Sequence, residues 1–307
     1  MDTSAGDTMR TELRGLLGEA ITLGLAVADA DAAWDTPWAH SPAGTELTAE
    51  EARRPEPLAG SWPWLAGPMF ARWALQVAAA AATGFCTVLG QDATSYAADV
   101  LCRGILESSS LAWWLLDPDI GSEQRLARSL VYRLHTAGET SRAVRALELG
   151  PDDDPDEYGE SVAGVRQEIS ALGWSCSKSG AVSFGGGASA ATESWPGYTK
   201  RAASLVEKIW PQPRLPYAVL SAVAHAELLG LQRNLAPPAV QGRDSRPAPS
   251  PDSLLWLWQD AYLVLGALVF AADRAAAFLG LPDQLAALRA LTGRLNEGLP
   301  ALRPAVA

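Results

Sequence analysis

The residues best placed for chemistry lie on two segments far apart in the chain. Asp99, Arg103 and Glu107 recur at every fourth position of YAADVLCRGILESSSLAWWLLDP, and Tyr217, Ser221 and His225 do the same on YAVLSAVAHAELLGL. Such spacing puts each set along one side of a helix whose remaining arc is apolar. Charge in those surroundings must be paired or solvated, so each stripe marks a helix interface or a buried polar site. If the two helices face one another, Glu107 and His225 form an acid–base pair. Arg103 then supplies the planar fork that binds a carboxylate or phosphate. Ser221 and Tyr217, one and two turns before His225, can hydrogen-bond its ring. The competing readings are structural: a core histidine satisfied by Ser221, packing for Tyr217, and a solvent-facing edge for the charged stripe. Asp99 reads as helix support, because acid and base at i, i+4 stabilise a helix by about 0.2–0.5 kcal/mol even when exposed.

Other constellations carry less. Asp152, Asp153 and Asp156 spell D-D-x-x-D, the magnesium–diphosphate motif of class I terpene synthases. That chemistry needs carboxylates converging from a helix wall. Here Gly150, Pro151, Pro155 and Gly159 make the stretch a turn. The second metal motif of that family is missing, since Asn234 and Asn296 are followed four residues on by Pro238 and Pro300. The cluster reads as a solvated loop, and no metal is expected. Arg128 and His135 share a helix side at the spacing of HEPN-type ribonucleases, which are helical and usually dimeric. There is no phosphate loop, G-x-G-x-x-G or H-E-x-x-H, and no G-x-S-x-G elbow for a serine nucleophile. No cofactor is expected either.

Composition narrows the class. The 307 residues carry a formal charge of -11, which argues against a nucleic-acid binder, because that role needs a basic face. The one concentration of arginine, at Arg125, Arg128, Arg133, Arg142 and Arg145, keeps a local exception open. Three separated cysteines without a CxxC exclude a disulfide framework or thiolate zinc site and suit a reducing cytoplasm. The N-terminus lacks a basic-then-apolar leader pattern. The most hydrophobic run, residues 254–272, is broken by Gln259 and Asp260, so no membrane span is expected.

The elements that must position these side chains read as helices. The patterning predicts a helix over residues 8–30, then a Pro- and charge-rich connection over 35–68 with a helical turn near its TAEEARR stretch. Further helices are expected over 69–89, from 96 to Asp117-Pro118, over 122–149, 161–172, 198–210, 217–234, 253–279 and 282–295. Residues 173–196 and 236–251 read as two long irregular loops, the first able to form a short hairpin. The expected fold is all-α: an N-terminal helix over residues 1–34, the connection over 35–68, and a main multi-helix bundle over 69–307. Among the 12 tryptophans, Trp113, Trp114, Trp256 and Trp258 belong to core or interface. Trp114 is also a candidate wall of an aromatic-lined pocket.

Two blocks carry a resemblance. RGILESSSLAWWLLDPDIGSEQRLARSLVYRL, residues 103–134, resembles a helix pair in uncharacterised actinobacterial proteins, and YAVLSAVAHAELLGL resembles their later helix with its Ser-x-x-x-His core. The similarity covers about half the chain in outline. Those proteins look distantly similar to HEPN-like helical bundles, and no reaction is established for them. The resemblance implies an all-α fold and points to Arg103, Glu107, Ser221 and His225. Two functions follow as expectations, with a HEPN-type ribonuclease as a further alternative. One is a cytoplasmic, homo-oligomeric module that binds a small ligand or a partner through Arg103, Trp114, Tyr217 and Ser221. The other is an enzyme using Glu107 and His225 as acid and base, with Arg103 on an anion and an isoprenoid among the substrates an aromatic pocket would suit.

Overall fold

The computed structural model describes residues 3–35, 37, 39–51, 63–90, 95–146, 161–185, 190–209, 220 and 253–298. It is all-α with one small sheet. The helices are α1 (Thr3–Ala28), α2 (Asp31–Asp35), α3 (Pro42–Glu51), α4 (Pro63–Leu89), α5 (Ser95–Leu115), α6 (Ser122–Ala146), α7 (Val162–Ala171), α8 (Tyr198–Ile209), α9 (Ser253–Leu279) and α10 (Pro282–Gly298). Strands β1 (Ser175–Cys176), β2 (Val182–Phe184) and β3 (Ala191–Glu193) separate α7 from α8.

Several boundaries differ from the sequence expectation for identifiable reasons. α3 occupies part of the connection, because Ser41 caps it: its Oγ accepts from the Gly44 N–H at 3.0 Å, and Pro42 follows at the first helical position. α4 begins six residues before Met69 and runs through Pro68, which forgoes one backbone hydrogen bond near the start of a long helix. The first long loop is an antiparallel meander, β1 pairing Ser175 with Ser183 and β2 pairing Ser183 with Thr192. The second long loop lies outside the described residues.

Every helix that packs centrally is rich in alanine on its inner face, which lets backbones approach. Ala78, Ala79 and Ala82 of α4, Ala98 and Ala112 of α5, and Ala267, Ala271 and Ala275 of α9 are fully buried. α5 is the hub, packed by α4, α9 and α8, while α1 lies across α4, α9 and α10. One hydrophobic cluster takes in side chains from Leu13 of α1 to Leu295 of α10. The stretch Leu257–Leu279 is long and apolar enough to cross a membrane, yet 72% of its most apolar window is buried inside the protein, as in a core helix. Gly280 ends α9 with φ 71° and lies against Ser41, where a Cβ would come within 2.9 Å of the Ser41 Cβ. Only glycine joins that backbone turn to that contact.

The C-terminal end of α5 is buried, so its last carbonyls need donors other than water. Three guanidinium groups supply them. Arg274 of α9 donates to Trp113 O at 2.6 Å, Arg128 of α6 to Trp114 O at 2.6 Å, and Arg125 of α6 to Leu115 O at 2.5 Å. Arg125 also reaches Asp117 O and Ile120 O, and it clasps Glu46 of α3 through Nε at 3.0 Å and Nη2 at 3.1 Å. Asp117 balances the other two, with Oδ2 at 3.2 Å from Arg128 and Oδ1 at 3.7 Å from Arg274. The rings of Trp113 and Trp114 lie beneath Arg274 and Arg128 at 3.8 and 5.2 Å.

Two stability predictions follow from these contacts. Arg125→Met strands Glu46 and three carbonyl oxygens in a side-chain environment only 4% exposed at the arginine, so it costs about 3–5 kcal/mol in urea unfolding. Arg125→Lys recovers little of this, because an ammonium cannot span the same acceptors. At Gly266 a Cβ would sit 2.6 Å from the Ile209 Cγ2 of α8. Gly266→Ala therefore destabilises by about 1–3 kcal/mol, although helix propensity alone predicts a gain of about 1 kcal/mol. Shortening Ile209 to alanine in the same chain should remove the penalty, and a stabilising Gly266→Ala would refute the close approach.

Candidate functional site

Trp114 opens the site, and Glu107 lies two turns and Arg103 three turns before it on one side of α5. The Arg103 Nε donates to the Glu107 Oε1 at 2.7 Å, and both side chains keep partial access to solvent, at 21% and 24%. Glu107 also lends its backbone carbonyl to the Ser110 hydroxyl at 2.8 Å. Asp99, expected to support the helix from a solvent-facing edge, is instead fully buried, as is Asp260 of α9. The stripe thus splits into a buried acid facing the core and a partly exposed ion pair.

Against Trp114 stands an aromatic cluster centred on Trp195. Its ring packs edge-on to Trp114 at 5.7 Å and Tyr198 at 5.5 Å, tilts against Tyr132 at 5.6 Å, and stacks on the His135 imidazole at 4.5 Å. The Arg201 guanidinium lies 4.2 Å from the Trp195 centroid and 5.2 Å from that of Tyr198. Tyr132 continues the band to Phe70 and on to Trp73 of α4. The segment after β3 brings Trp195 here because Glu193, two residues earlier, is held to α6. Its carboxylate accepts from Gln124, and Arg128 Nε lies 3.4 Å away.

The titrating groups of the cluster shift in opposite directions. Burial pushes the Tyr198 phenol above its ordinary range, with Tyr132, Glu139 and Glu107 adding to the effect against Arg201. His135 moves the other way: burial lowers its pKa, Arg201 and Arg142 reinforce this, and Glu139 opposes it. The imidazole Nε2 lies 3.3 Å from the Tyr198 hydroxyl. A neutral ring between an aryl face and a phenol is the arrangement these shifts favour.

The structure assigns the other candidates as follows. Trp114 is buried and serves as the platform between Arg128 and Trp195. Arg128 is committed to Trp114 O, Asp117 and Glu193, while His135 stacks on Trp195, so the Arg128–His135 pair of α6 is split between two jobs. Of the arginine concentration, Arg125 and Arg128 are clamped, Arg133 pairs with Glu168 at 2.6 Å, and Arg142 pairs with Glu139. That arrangement leaves no basic face among those four. Tyr217, Ser221, His225 and the Asp152–Asp156 cluster lie outside the described residues. Among the described residues no group of three His, Cys, Asp or Glu side chains could hold a metal ion.

Tyr132, Trp195, Tyr198 and Arg201 were not singled out from sequence. A signal existed: Arg201 shares the apolar stripe of α8 with Leu205 and Ile209, and all three are buried. Trp195-Pro196-Gly197-Tyr198 likewise puts two large aromatics where a loop meets a helix. The chain matches no protein-family model, no curated protein and no solved structure.

The lowered His135 pKa makes a pH prediction. Folding favours the neutral ring, so its contribution is complete above the unfolded value of about 6.5 and is lost as pH falls from there through the lower folded value. His135→Phe keeps a stacking ring and cannot titrate. The difference in urea midpoint between the parent and this variant should shift against the parent as pH drops from neutral to mildly acidic. A difference that stays constant or moves in the parent's favour contradicts a partly buried, neutral His135.

Proposed function

We propose that the protein is a helical binding module for a small ligand with an anionic group and an apolar body. The observation that carries this reading is the partly exposed Arg103–Glu107 pair, which shares one side of α5 with Trp114 and so leads to the aromatic band of Tyr132, Trp195 and Tyr198. Arg103 offers the fork for a carboxylate or phosphate, Glu107 orients that fork through its Nε bond, and the aromatic rings supply area for the apolar body. An ion pair with partial access to solvent suits reversible binding, because an incoming anion can compete with the Glu107 carboxylate for the guanidinium.

Native mass spectrometry of the purified chain, before and after incubation with a cell extract, tests the proposal. A retained small molecule is expected. Arg103→Gln should weaken its binding about 10- to 150-fold, the range of a charged hydrogen bond worth about 1.5–3 kcal/mol, with the helical circular dichroism unchanged. Bare polypeptide mass in every preparation, or a ligand held equally by the variant, rejects the reading.

A further inference from the structure

α4 presents a second feature, which meets the aromatic band only at Trp73. Met69, Trp73, Val77, Ala80, Thr83 and Thr87 are all exposed and follow one another at three- or four-residue intervals, so they form a single stripe along the outer side of the helix. Relative exposure reaches 39% at Met69, 50% at Trp73 and 58% at Val77. Nothing on the stripe is charged. The only charge in the α4 sequence, Arg72, turns away to donate to Ala28 O at 2.8 Å and to pair with Asp31. Even the two threonines make no outward demand: Thr83 Oγ1 donates to Ala79 O at 3.0 Å and Thr87 Oγ1 to Thr83 O at 3.1 Å. The stripe can therefore be dehydrated without stranding a polar group.

Its order of sizes specifies the occupant. Large side chains fill the first half (Met69, Trp73, Val77) and small ones the second (Ala80, Thr83, Thr87). Two copies of α4 laid antiparallel about a two-fold axis between Val77 and Ala80 set Met69 against Thr87, Trp73 against Thr83 and Val77 against Ala80. Large meets small at every level, as an isologous interface requires. We infer that this face of α4 is the contact surface of a homodimer, with a second copy of the chain as its partner. Charge agrees: copies carrying -11 each repel one another, and an uncharged face is where they can approach. The stripe spans about 27 Å of helix. At its far end Ala97 and Val100 of α5 are exposed beside it, near the point where Gly84 meets Leu101, and they widen the apolar area. A lipid surface fits less well, since helices that lie on membranes carry lysine and arginine along their polar edges.

Sedimentation equilibrium of the full chain, from nanomolar to high micromolar concentration, tests the inference by mass, a readout separate from ligand retention at Arg103. The parent should be a monomer–dimer system. Trp73→Glu and Thr83→Trp should each weaken dimerisation about thirtyfold or more, as loss of a central anchor does. The swap Trp73→Thr with Thr83→Trp, which exchanges large and small on both copies, should restore the dimer. Circular dichroism and thermal unfolding establish that each variant is folded. A parent that stays monomeric, a dimer indifferent to both single changes, or a folded swap that remains dissociated overturns the proposal. So does a monomer whose Trp73 inserts into neutral phospholipid vesicles.

Discussion

The end of a buried helix is the constraint on which the rest of this structure depends. α5 runs through the middle of the bundle, and its last carbonyls emerge where water does not reach. Leaving one such group unmade costs about 1–3 kcal/mol, and here three lie in sequence at Trp113, Trp114 and Leu115. Arginine is the side chain with enough donors to serve several acceptors at once, and a cation at a helix C-terminus is favoured by the macrodipole as well. Arg125, Arg128 and Arg274 take one carbonyl each. The carboxylates of Glu46, Asp117 and Glu193 neutralise them. The same solution recurs on a smaller scale at the end of α1, where Trp34 Nε1 donates to Val27 O at 2.9 Å and Arg72 donates to Ala28 O.

Fixing that end also fixes the rotation of α5 about its own axis. Trp114 is held from both sides, by the Arg128 guanidinium over its ring and by the bond to its carbonyl. Glu107 and Arg103 lie two and three turns back on the same side, so their direction follows from the clamp. Arg128 extends the control to the opposite wall, because the Glu193 it holds positions Trp195. One arginine thus sets the relation between the ion pair and the aromatic cluster. Loss of Arg128 would disturb the site without touching any ligand.

The helices and their apolar faces were legible in the sequence because periodicity survives any tertiary arrangement. The Arg103–Glu107 pair was legible for the same reason, since i, i+4 neighbours meet whatever surrounds the helix. Arg125 and Arg128 were misleading. Two arginines one turn apart read as a basic patch, and only the burial of a distant helix end turns them into structural donors. Asp99 failed similarly: its spacing to Arg103 is right for a surface pair, but the rotation of α5 carries it to the core side. Trp195 escaped notice because its place is set by Glu193 reaching α6, a contact across 65 residues that no local pattern encodes.

α4 and α9 show why composition alone does not separate a core helix from an exposed one. Both are almost without charge over 27 residues. A helix apolar on all sides needs neighbours on all sides. α9 has them, from α1, α3, α4, α5, α8 and α10, and no residue from Leu257 to Leu279 is exposed. α4 is covered by α1, α5, α6 and α9, and its side from Met69 to Thr87 faces outward from the described elements. Selection for solubility removes exposed tryptophan and methionine from surfaces that stay wet. The exposed Trp73 and Met69, beside threonines that have already satisfied their own hydroxyls, are what the proposed two-fold contact would bury.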